Sequence, residues 1–403
     1  MPSENLFAQV QHGSSLYERC IDLRRRVLLV PLGLDFTDEQ IQQESADLHF
    51  ALVRDQIPVA ACVATKINDF TAQIRQVAVE PAEHGKGLGA QLMRQTAAFL
   101  YAEGYREAIV HARANVVPFY LKLGYYPYDS EFIEVGIPHR KMRLQLPGHP
   151  GRPDPTYYAE SFPADFGSSL AVLPVGALEW HGSHLPMGTD NFLVESFAYE
   201  LARRLNGKLL PTLWTPITPL PHQLGIGIRT DSFRMLVEDV LAALVKNGFS
   251  RIALITGHYA QGHLWELYDI ADAAMAANSD LLAVAGSPLE PLAMPDLLDH
   301  AGSWETAQLM FGKGPGFVRN GTLPPVLEPK RDAVLGDDPR HADIVKTAEY
   351  LELAQARWAE LLSGNQEAAR AFHAGERAEL QGYRDRFYKE SWQQAIESWW
   401  ATK

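Results

Sequence analysis

Acidic and imidazole side chains are concentrated in a short, glycine-rich stretch at positions 173–190, with the sequence LPVGALEWHGSHLPMGTD. Within it, Glu179, His181, His184 and Asp190 follow an apolar run. Carboxylate oxygen and imidazole nitrogen together suit borderline divalent ions such as zinc or manganese, and one aspartate can bridge two ions through its two oxygens. On an extended segment Glu179 and His181 point the same way, because they are two residues apart. The composition therefore predicts a metal-binding loop.

Two later segments repeat this arrangement of a strand or turn followed by ligand-type side chains. The apolar run 251–256 is followed by Gly257 and His258, and the sequence DHAGSWET places His300 and Glu305 just before a predicted helix. Near-continuous apolar runs are typical of strands buried on both faces of a parallel sheet. Ligands collect where the carboxyl ends of such strands meet, so we expect these side chains to come together there.

The three segments, in this order, resemble the creatininase (creatinine amidohydrolase) family over about residues 155–362. The resemblance implies two divalent ions, zinc or manganese, and a proton-handling role for His300. The implied metal ligands are Glu179, His181, Asp190, His258 and Glu305. One departure is Ala260, where creatininase itself has a glutamate two residues after the strand-end histidine. This departure argues against creatinine as the substrate, and it leaves Glu305 as the carboxylate of the second metal.

A second candidate site begins at the glycines of EHGKGLG, between a predicted strand and an amphipathic helix. Unpaired N–H groups at a helix start can hold a phosphate, and glycine permits close approach. The segment resembles the acyl-CoA motif of the GNAT acyltransferases, with His84 as a departure at its first position. The resemblance, which covers about residues 10–146, implies that acetyl-CoA or another acyl-CoA is bound by Val77, Val79, His84, Gly85, Gly87, Leu88, Gly89 and Asn115.

The same resemblance makes Tyr120 the candidate general acid, because a phenol with an ordinary pKa of about 10 keeps a proton for a leaving thiolate. The alternative is that Tyr120 is an ordinary core aromatic. For the acceptor amine the sequence offers Glu80 as a candidate base, although a plain loop carboxylate is the simpler interpretation.

Composition and charge limit the remaining possibilities. The 403 residues are 46% hydrophobic, and the net charge is −13. The only basic run, Arg24–Arg26, is interpreted as the solvated side of a helix, so no nucleic-acid partner is expected. No apolar run is long enough for a membrane span, no signal sequence opens the chain, and two cysteines favour a reducing compartment. We therefore expect a cytoplasmic protein.

The predicted organisation is α/β in both halves. A GNAT-like mixed α/β domain occupies residues 1–146, and a Pro/Gly-rich linker occupies 147–158. A creatininase-like domain at 159–365, with a mainly parallel sheet sandwiched by helices, precedes a helical extension at 366–403. Small amides and amines are the expected substrates, and the creatininase-like domain is expected to form a homo-oligomer. The predicted function is that of a bifunctional amidohydrolase and N-acetyltransferase; the alternative is an acetyltransferase or acyl-CoA sensor on an inactive scaffold.

Overall fold

The chain forms two compact units, Met1–Pro153 and Asp154–Lys403, in a computed structural model. The structure describes residues 5–134, 136–146, 154, 156–294 and 297–403. Most of the predicted linker at 147–158 lies outside the described residues. The units are described separately below as the N-terminal and C-terminal units.

The N-terminal unit is a seven-stranded sheet with helices on its faces, within the described residues. Its strands β1 to β7 are Leu6–Val10, Leu48–Arg54, Ile57–Lys66, Thr71–Val79, Glu107–Arg113, Tyr126–Glu134 and Ile137–Gln145. Its helices α1 to α4 are Ser15–Arg24, Asp38–Gln43, Leu88–Ala102 and Val117–Lys122. The strand order is β1-β2-β3-β4-β5-β7-β6, and only the β4–β5 pair is parallel.

Alternate residues of the central strands pack to opposite sides of this sheet. Phe50 and Leu52 join the core beneath α3, whereas Ala51 joins a second core built on Tyr17 and Ile21 of α1. Because both faces are covered, β2 and β3 are almost continuously apolar in sequence. The sheet thus lies between α1 on one face and α3 on the other.

The prediction that Arg24–Arg26 is a solvated helix face is wrong for Arg24, whereas Arg26 is exposed and Arg25 is half-buried. Arg24 is 1% exposed, and its guanidinium donates to both carboxylate oxygens of Glu44 at 3.0 and 2.8 Å. Tyr17 donates a further hydrogen bond to Glu44 at 3.2 Å. Helix α1 ends at Arg24 and continues as a π-helical turn, and its last turn is buried where Glu44 approaches from a short 3₁₀ turn.

The C-terminal unit is built on a smaller parallel sheet flanked by long helices. Strands β8 to β12 are Leu170–Gly176, Lys208–Leu209, Leu213–Trp214, Arg251–Thr256 and Leu282–Gly286. Helices α5 to α12 are Thr189–Arg204, Thr230–Lys246, Gln261–Ala277, Ser303–Lys313, Pro329–Asp332, Ile344–Ser363, Gln366–Phe387 and Trp392–Trp400. The order is β10-β8-β11-β12 with β9 also on β8, and every pairing is parallel. The predicted α/β fold class is confirmed in both units.

The apolar residues of the segment 209–220 predict one strand, and this prediction is wrong. The segment forms only the two short strands β9 and β10 and then a loop. Proline at positions 211, 216 and 219 accounts for the difference, because proline cannot donate to a strand ladder. The loop crosses the carboxyl end of the sheet and contributes to the site described next.

Among the described residues, no helix has the length and apolar character needed to span a bilayer.

Candidate metal centre and acyl-CoA cleft

The candidate ligands of the C-terminal unit meet at the carboxyl ends of β8 and β11. Glu179 and His181 follow β8, His258 follows β11, and Asp190 lies in the first turn of α5. Gly257 permits this convergence, because a Cβ atom at that position would lie 2.1 Å from the backbone oxygen of Asp190. The strand end and the start of α5 can therefore approach only with glycine there.

Asp190 is the centre of the cluster, with one carboxylate oxygen facing each histidine. Its Oδ1 lies 2.8 Å from His181 Nε2, and its Oδ2 lies 3.2 Å from His258 Nδ1. Glu179 Oε2 lies 2.9 Å from His258 Nδ1, and Glu305 Oε2 lies 3.5 Å from His181 Nε2. The five side chains form two groups that share Asp190: Glu179, Asp190 and His258 in one, and His181, Asp190 and Glu305 in the other.

Backbone carbonyl groups orient both histidines. His181 Nδ1 lies 3.1 Å from the Glu179 carbonyl oxygen, and His258 Nε2 lies 3.0 Å from the Ile217 carbonyl oxygen. If these nitrogens donate, the remaining nitrogen of each ring faces the carboxylates. Orientation by a carbonyl is the usual arrangement for metal-binding histidine. His181 Nε2 and Asp190 Oδ2 are buried and lie close to their partners in the cluster, but neither contact has the geometry of a hydrogen bond, as expected for ligand atoms directed at a shared cation. The residues present thus fit a pair of divalent ions.

The electrostatics of the cluster favour the presence of positive charge. Burial alone would lower the pKa of His181, but Asp190 and Glu305 raise it to about 10. Burial likewise opposes protonation of His258, yet Glu179 and Asp190 raise the pKa of His258 well above its ordinary value. In the metal-free protein these protons partly neutralise the carboxylates, and metal binding has to displace them.

His300 is beside the cluster but outside both ligand groups that contain Asp190. Its ring centroid is 4.3 Å from that of His181, and its Nε2 lies 2.9 Å from the Trp180 carbonyl oxygen. Burial, together with the charge of His181, lowers the pKa of His300 to about 4. A neutral imidazole with Nε2–H on the carbonyl leaves Nδ1 able to accept a proton. His300 also belongs to a third close group with Glu179 and His181.

Glu305 occupies its place because a buried aspartate fixes the start of α8. Asp299 accepts hydrogen bonds from the backbone N–H groups of Trp304 and Glu305 at 2.9 and 3.0 Å, and Glu305 Oε2 accepts from the Ala301 N–H at 2.6 Å. These contacts hold the Glu305 carboxylate towards His181. Ala260, at the start of α7, has no ligating side chain.

Two further buried histidines lie near the cluster without joining it. His184, which belongs to the predicted metal loop, has Nε2 3.3 Å from the Thr306 hydroxyl, and burial lowers its pKa to about 4. The His263 ring lies edge-on to that of His258, with ring centroids 5.1 Å apart, and neither of its ring nitrogens has a hydrogen bond. Sequence reasoning missed His263 because it lies inside a helix with no accompanying motif.

A cavity of about 710 Å³ opens beside the cluster. Three residues in or beside the candidate metal cluster line it: Glu179, His258 and His300. Its other walls include Thr218 and, from α11, Glu376 and Glu379, which sequence reasoning also missed. Helices α11 and α12 therefore contribute to this cavity as well as to packing.

In the N-terminal unit, β4 and β5 pair only at their beginnings. The ladder joins Thr71–Gln73 to Glu107–Ile109 and goes no further, and Gln76 interrupts β4 with a φ of 52°. Past this point β5 no longer pairs with β4 within the described residues, which leaves a gap beside β4 around Val77 and Val79, where His84 Nε2 contacts the Val79 carbonyl oxygen. Such a gap suits a ligand with an extended portion that pairs with a strand edge.

The glycine loop follows directly after β4, at the start of α3. Gly85 and Gly87 have φ values of 79° and 80°, and the loop ends where Leu88 begins the helix. His84 Nε2 lies 3.1 Å from the Val79 carbonyl oxygen, which ties the loop to the strand. A Cβ at Gly89 would lie 3.5 Å from Val79 Cγ2 and 3.4 Å from Phe119 Cζ. The structure thus brings most of the predicted cofactor-binding residues together at one end of β4.

The remaining predicted residues of this unit lie in different surroundings. Asn115 is exposed on the turn after β5. Tyr120 is 7% exposed within the core, its ring 5.5 Å from that of Tyr125, and burial raises its pKa. Glu80 is ion-paired with Arg26 at 3.1 Å. Tyr120 can therefore retain a proton, whereas Glu80 already has a partner.

Comparison with known proteins identifies both halves. Residues 160–362 match the creatininase family, described as creatinine amidohydrolase, and residues 34–146 match a GNAT acetyltransferase domain. A curated relative is the 3-dehydro-scyllo-inosose hydrolase of Thermotoga maritima, 29% identical over 93 residues, which are 22% of this chain and 30% of that protein. This match spans under a third of the relative's length.

Two further likenesses concern one half each. The uncharacterized N-acetyltransferase YjcF of Bacillus subtilis is 25% identical over 121 residues, 30% of this chain and 86% of that protein. A crystal structure of creatinine amidohydrolase is 21% identical and covers 51% of this chain and 95% of its own, with a TM-score of 0.44. The predicted resemblances are confirmed: the chain belongs to the creatininase family and carries a GNAT acetyltransferase domain ahead of its creatininase domain.

Proposed function

We propose that the C-terminal unit is a hydrolase of a small amide or cyclic amide that depends on two divalent metal ions, zinc or manganese. The observation that carries this proposal is the pair of buried ligand groups sharing Asp190 beside a cavity. Glu179, Asp190 and His258 would hold one ion, and His181, Asp190 and Glu305 the other. Two such ions lower the pKa of water and polarise a carbonyl group.

His300 would supply the proton transfers. Its neutral ring, oriented by the Trp180 carbonyl, can take a proton from the attacking water at Nδ1 and deliver it to the leaving nitrogen. Proton transfer by a positioned side chain contributes about 100- to 10,000-fold in rate. Leu220 N–H donates to Glu179 Oε1, which leaves Glu179 Oε2 for the cation.

The experiment for this unit combines elemental analysis with a substrate screen. We expect two divalent ions per chain and hydrolysis of a member of a panel of linear amides and lactams. The panel should include creatinine, which Ala260 disfavours, and an inosose, because a relative is named as the hydrolase of such a compound. If the protein contains both ions and cleaves only the inosose, the proposed metal centre stands and an amide is excluded as the substrate.

We infer that the N-terminal unit binds an acyl-CoA in the gap between β4 and β5 and transfers the acyl group to an amine, with Tyr120 as the acid. The glycine loop at the start of α3 and the open edge of β4 support binding. The ion pair between Glu80 and Arg26 favours a second candidate, an acyl-CoA sensor that does not turn over. Calorimetry with acetyl-CoA and an amine-dependent thiol-release assay separate the two, since a sensor binds without releasing thiol.

The chain as a whole would then be a bifunctional cytoplasmic enzyme. Small amides and amines remain the proposed substrates, and assembly into a homo-oligomer through the creatininase domain remains a proposal. Size-exclusion chromatography with light scattering tests the latter, and a monomer at micromolar concentration would contradict it.

A further inference from the structure

The cavity beside the candidate metal centre is strongly acidic. Among the described residues, its walls carry five carboxylates and no lysine or arginine. Three of the five already have partners: Glu179 belongs to the metal cluster, Asp299 caps α8, and Glu290 accepts from Tyr268 at 2.7 Å. Glu376 and Glu379 have no ion-pair partner within 4.0 Å in the described part of the chain. Neither belongs to a metal-binding group there.

Glu376 and Glu379 lie three residues apart, so they share one face of α11. The nearby basic residue of that helix, Arg377, is engaged elsewhere, with Asp269 and Asp272. Glu376 is half-buried, and burial, with the charges of Glu290 and Glu379, raises its pKa to about 7. Like charges at adjacent turns are unfavourable unless a cation offsets them.

A second feature of the cavity also points to a ligand. Thr218 is 4% exposed and lines the cavity, yet its hydroxyl has no hydrogen-bond partner. Its φ of 58° is costly for a β-branched residue. Its neighbours in the same loop already serve the cluster, since the Ile217 carbonyl orients His258 and the Leu220 N–H donates to Glu179. A buried hydroxyl without a partner is a group that a polar ligand would satisfy.

From these observations we propose that the cavity recognises a substrate carrying a protonated amine, held by Glu376 and Glu379, with Thr218 as a further polar contact. Helix α11 follows residue 362, where the family match ends, so Glu376 and Glu379 come from a segment outside that match, whereas Thr218 lies inside it. The proposal rests on the proposed hydrolase function, because it names the class of amide that the same site would accept. An ammonium group on carboxylates forms charge-assisted hydrogen bonds, which are stronger than neutral ones.

The test compares two amides of nearly equal shape, 5-aminopentanamide and hexanamide, which differ by an ammonium group in place of a methyl group. A second pair, 3-aminopropanamide and butanamide, tests a shorter distance between the amide and the ammonium group. Binding to the manganese-loaded full chain at pH 7.5 is measured by calorimetry and ligand-observed NMR. We expect the amine of at least one pair to bind 10-fold or more tightly than its neutral isostere. Equal affinities within both pairs would overturn the proposal, and the wild-type protein alone is sufficient for this test.

Variants then locate the preference. Glu376→Gln should remove most of it and Glu379→Gln a smaller part, whereas Asp385→Asn, an exposed residue of the same helix, should leave it unchanged. Manganese content equal to that of the wild type shows that each variant keeps the centre. A preference that persists in the double variant Glu376→Gln/Glu379→Gln would also overturn the proposal.

The two proposals fail separately. If the two members of each pair are hydrolysed equally by a protein with two ions, the hydrolase stands and amine recognition is wrong. If the protein binds no divalent metal and hydrolyses neither compound, the hydrolase is wrong. In that case the amine preference, measured after chelation, still decides the recognition proposal, because Glu376 and Glu379 are not among the candidate ligands.

Discussion

Each unit contains buried carboxylate groups, and the two units compensate this buried negative charge in different ways. In the N-terminal unit, Glu44 accepts two hydrogen bonds from Arg24 and one from Tyr17, so the chain supplies its own cation. In the C-terminal unit, histidines are the ion-pair partners of Glu179, Asp190 and Glu305, and no lysine or arginine forms an ion pair with them in the described residues. Burying a charge without a partner is costly in both settings.

The difference separates a structural site from one suited to a ligand. A guanidinium is charged at every physiological pH, so the pair of Arg24 and Glu44 is permanent. Histidine can lose its proton, which lets a divalent ion enter in place of that proton. Buried carboxylates surrounded by histidine and no arginine are therefore the arrangement in which exchange is possible.

The largest expected effect comes from removing the residue shared by both ligand groups. Asp190→Ala should reduce the metal content from two ions per chain to nearly none, and hydrolysis should fall by more than about 1000-fold because several kcal/mol of charge stabilisation are lost. Elemental analysis and the amide assay measure the two effects. Asp239→Ala, an exposed aspartate of α6, is the control and should change neither. A full metal complement in Asp190→Ala would show that this residue is not a bridge.

Removing His300 should separate metal binding from proton transfer. His300→Ala is expected to retain both ions while the rate constant kcat falls about 100- to 10,000-fold, the range for loss of a general acid or base. His341→Ala, an exposed histidine, serves as the matched control. Loss of one ion in His300→Ala would instead make His300 a ligand, as its closeness to Glu179 and His181 would permit.

Breaking the permanent pair should lower stability and leave metal binding unchanged. Glu44→Gln leaves a buried guanidinium without its charge partner and should lower the free energy of unfolding of the N-terminal unit by about 3–5 kcal/mol. Hydrogen exchange in β2 to β4 measures this change. Glu39→Gln, an exposed residue of α2, should stay within about 0.5 kcal/mol of the wild type. Unchanged exchange in Glu44→Gln would remove the contrast between the two sites.

The pH dependence of this pair has a definite sign. Burial opposes the charged form of Glu44, but Arg24 outweighs it and leaves the pKa of Glu44 below the ordinary value. A carboxyl group whose pKa is lowered on folding contributes stability above its unfolded pKa, and the contribution disappears as the pH falls through the folded value. Acidification below about pH 4.3 should thus narrow the difference between the wild type and Glu44→Gln.

The sequence predicts those parts of the molecule whose chemistry is local. Glu179, His181 and Asp190 lie within one loop, and His258 and Glu305 follow recognisable strand and turn signals, so all five could be named before their distances were known. Periodicity also predicts α3 and the apolar strands β8 and β11. These features depend on neighbours in sequence.

The features that the sequence does not predict arise from contacts between distant segments. Arg24 has a buried partner twenty residues away, and nothing in the helix pattern distinguishes it from a solvated arginine. Thr218 is in a loop that resembles a strand until its prolines are considered, and Glu376 reaches the cavity from a helix about 200 residues beyond the metal loop. Propensity cannot report such contacts, because they are made by tertiary packing.

The smallest expected effect concerns the glycine loop, where backbone N–H groups alone, without a cationic side chain, would hold the negative charge of a ligand. Gly87→Glu places a negative side chain beside the start of α3, at a φ of 80°, so both charge and conformation oppose an anionic ligand. We expect the Kd for acetyl-CoA, measured by calorimetry, to rise at least about 10-fold, since the conformational cost alone is roughly 1–2 kcal/mol. Gly87→Ala isolates the conformational part and should give the smaller increase. Gly13→Glu makes the same change at a φ of 73° with open space around it, and should leave the affinity unchanged. If Gly87→Glu binds acetyl-CoA as the wild type does, the loop is only a turn, and the open edge of β4 would have to hold the cofactor without it.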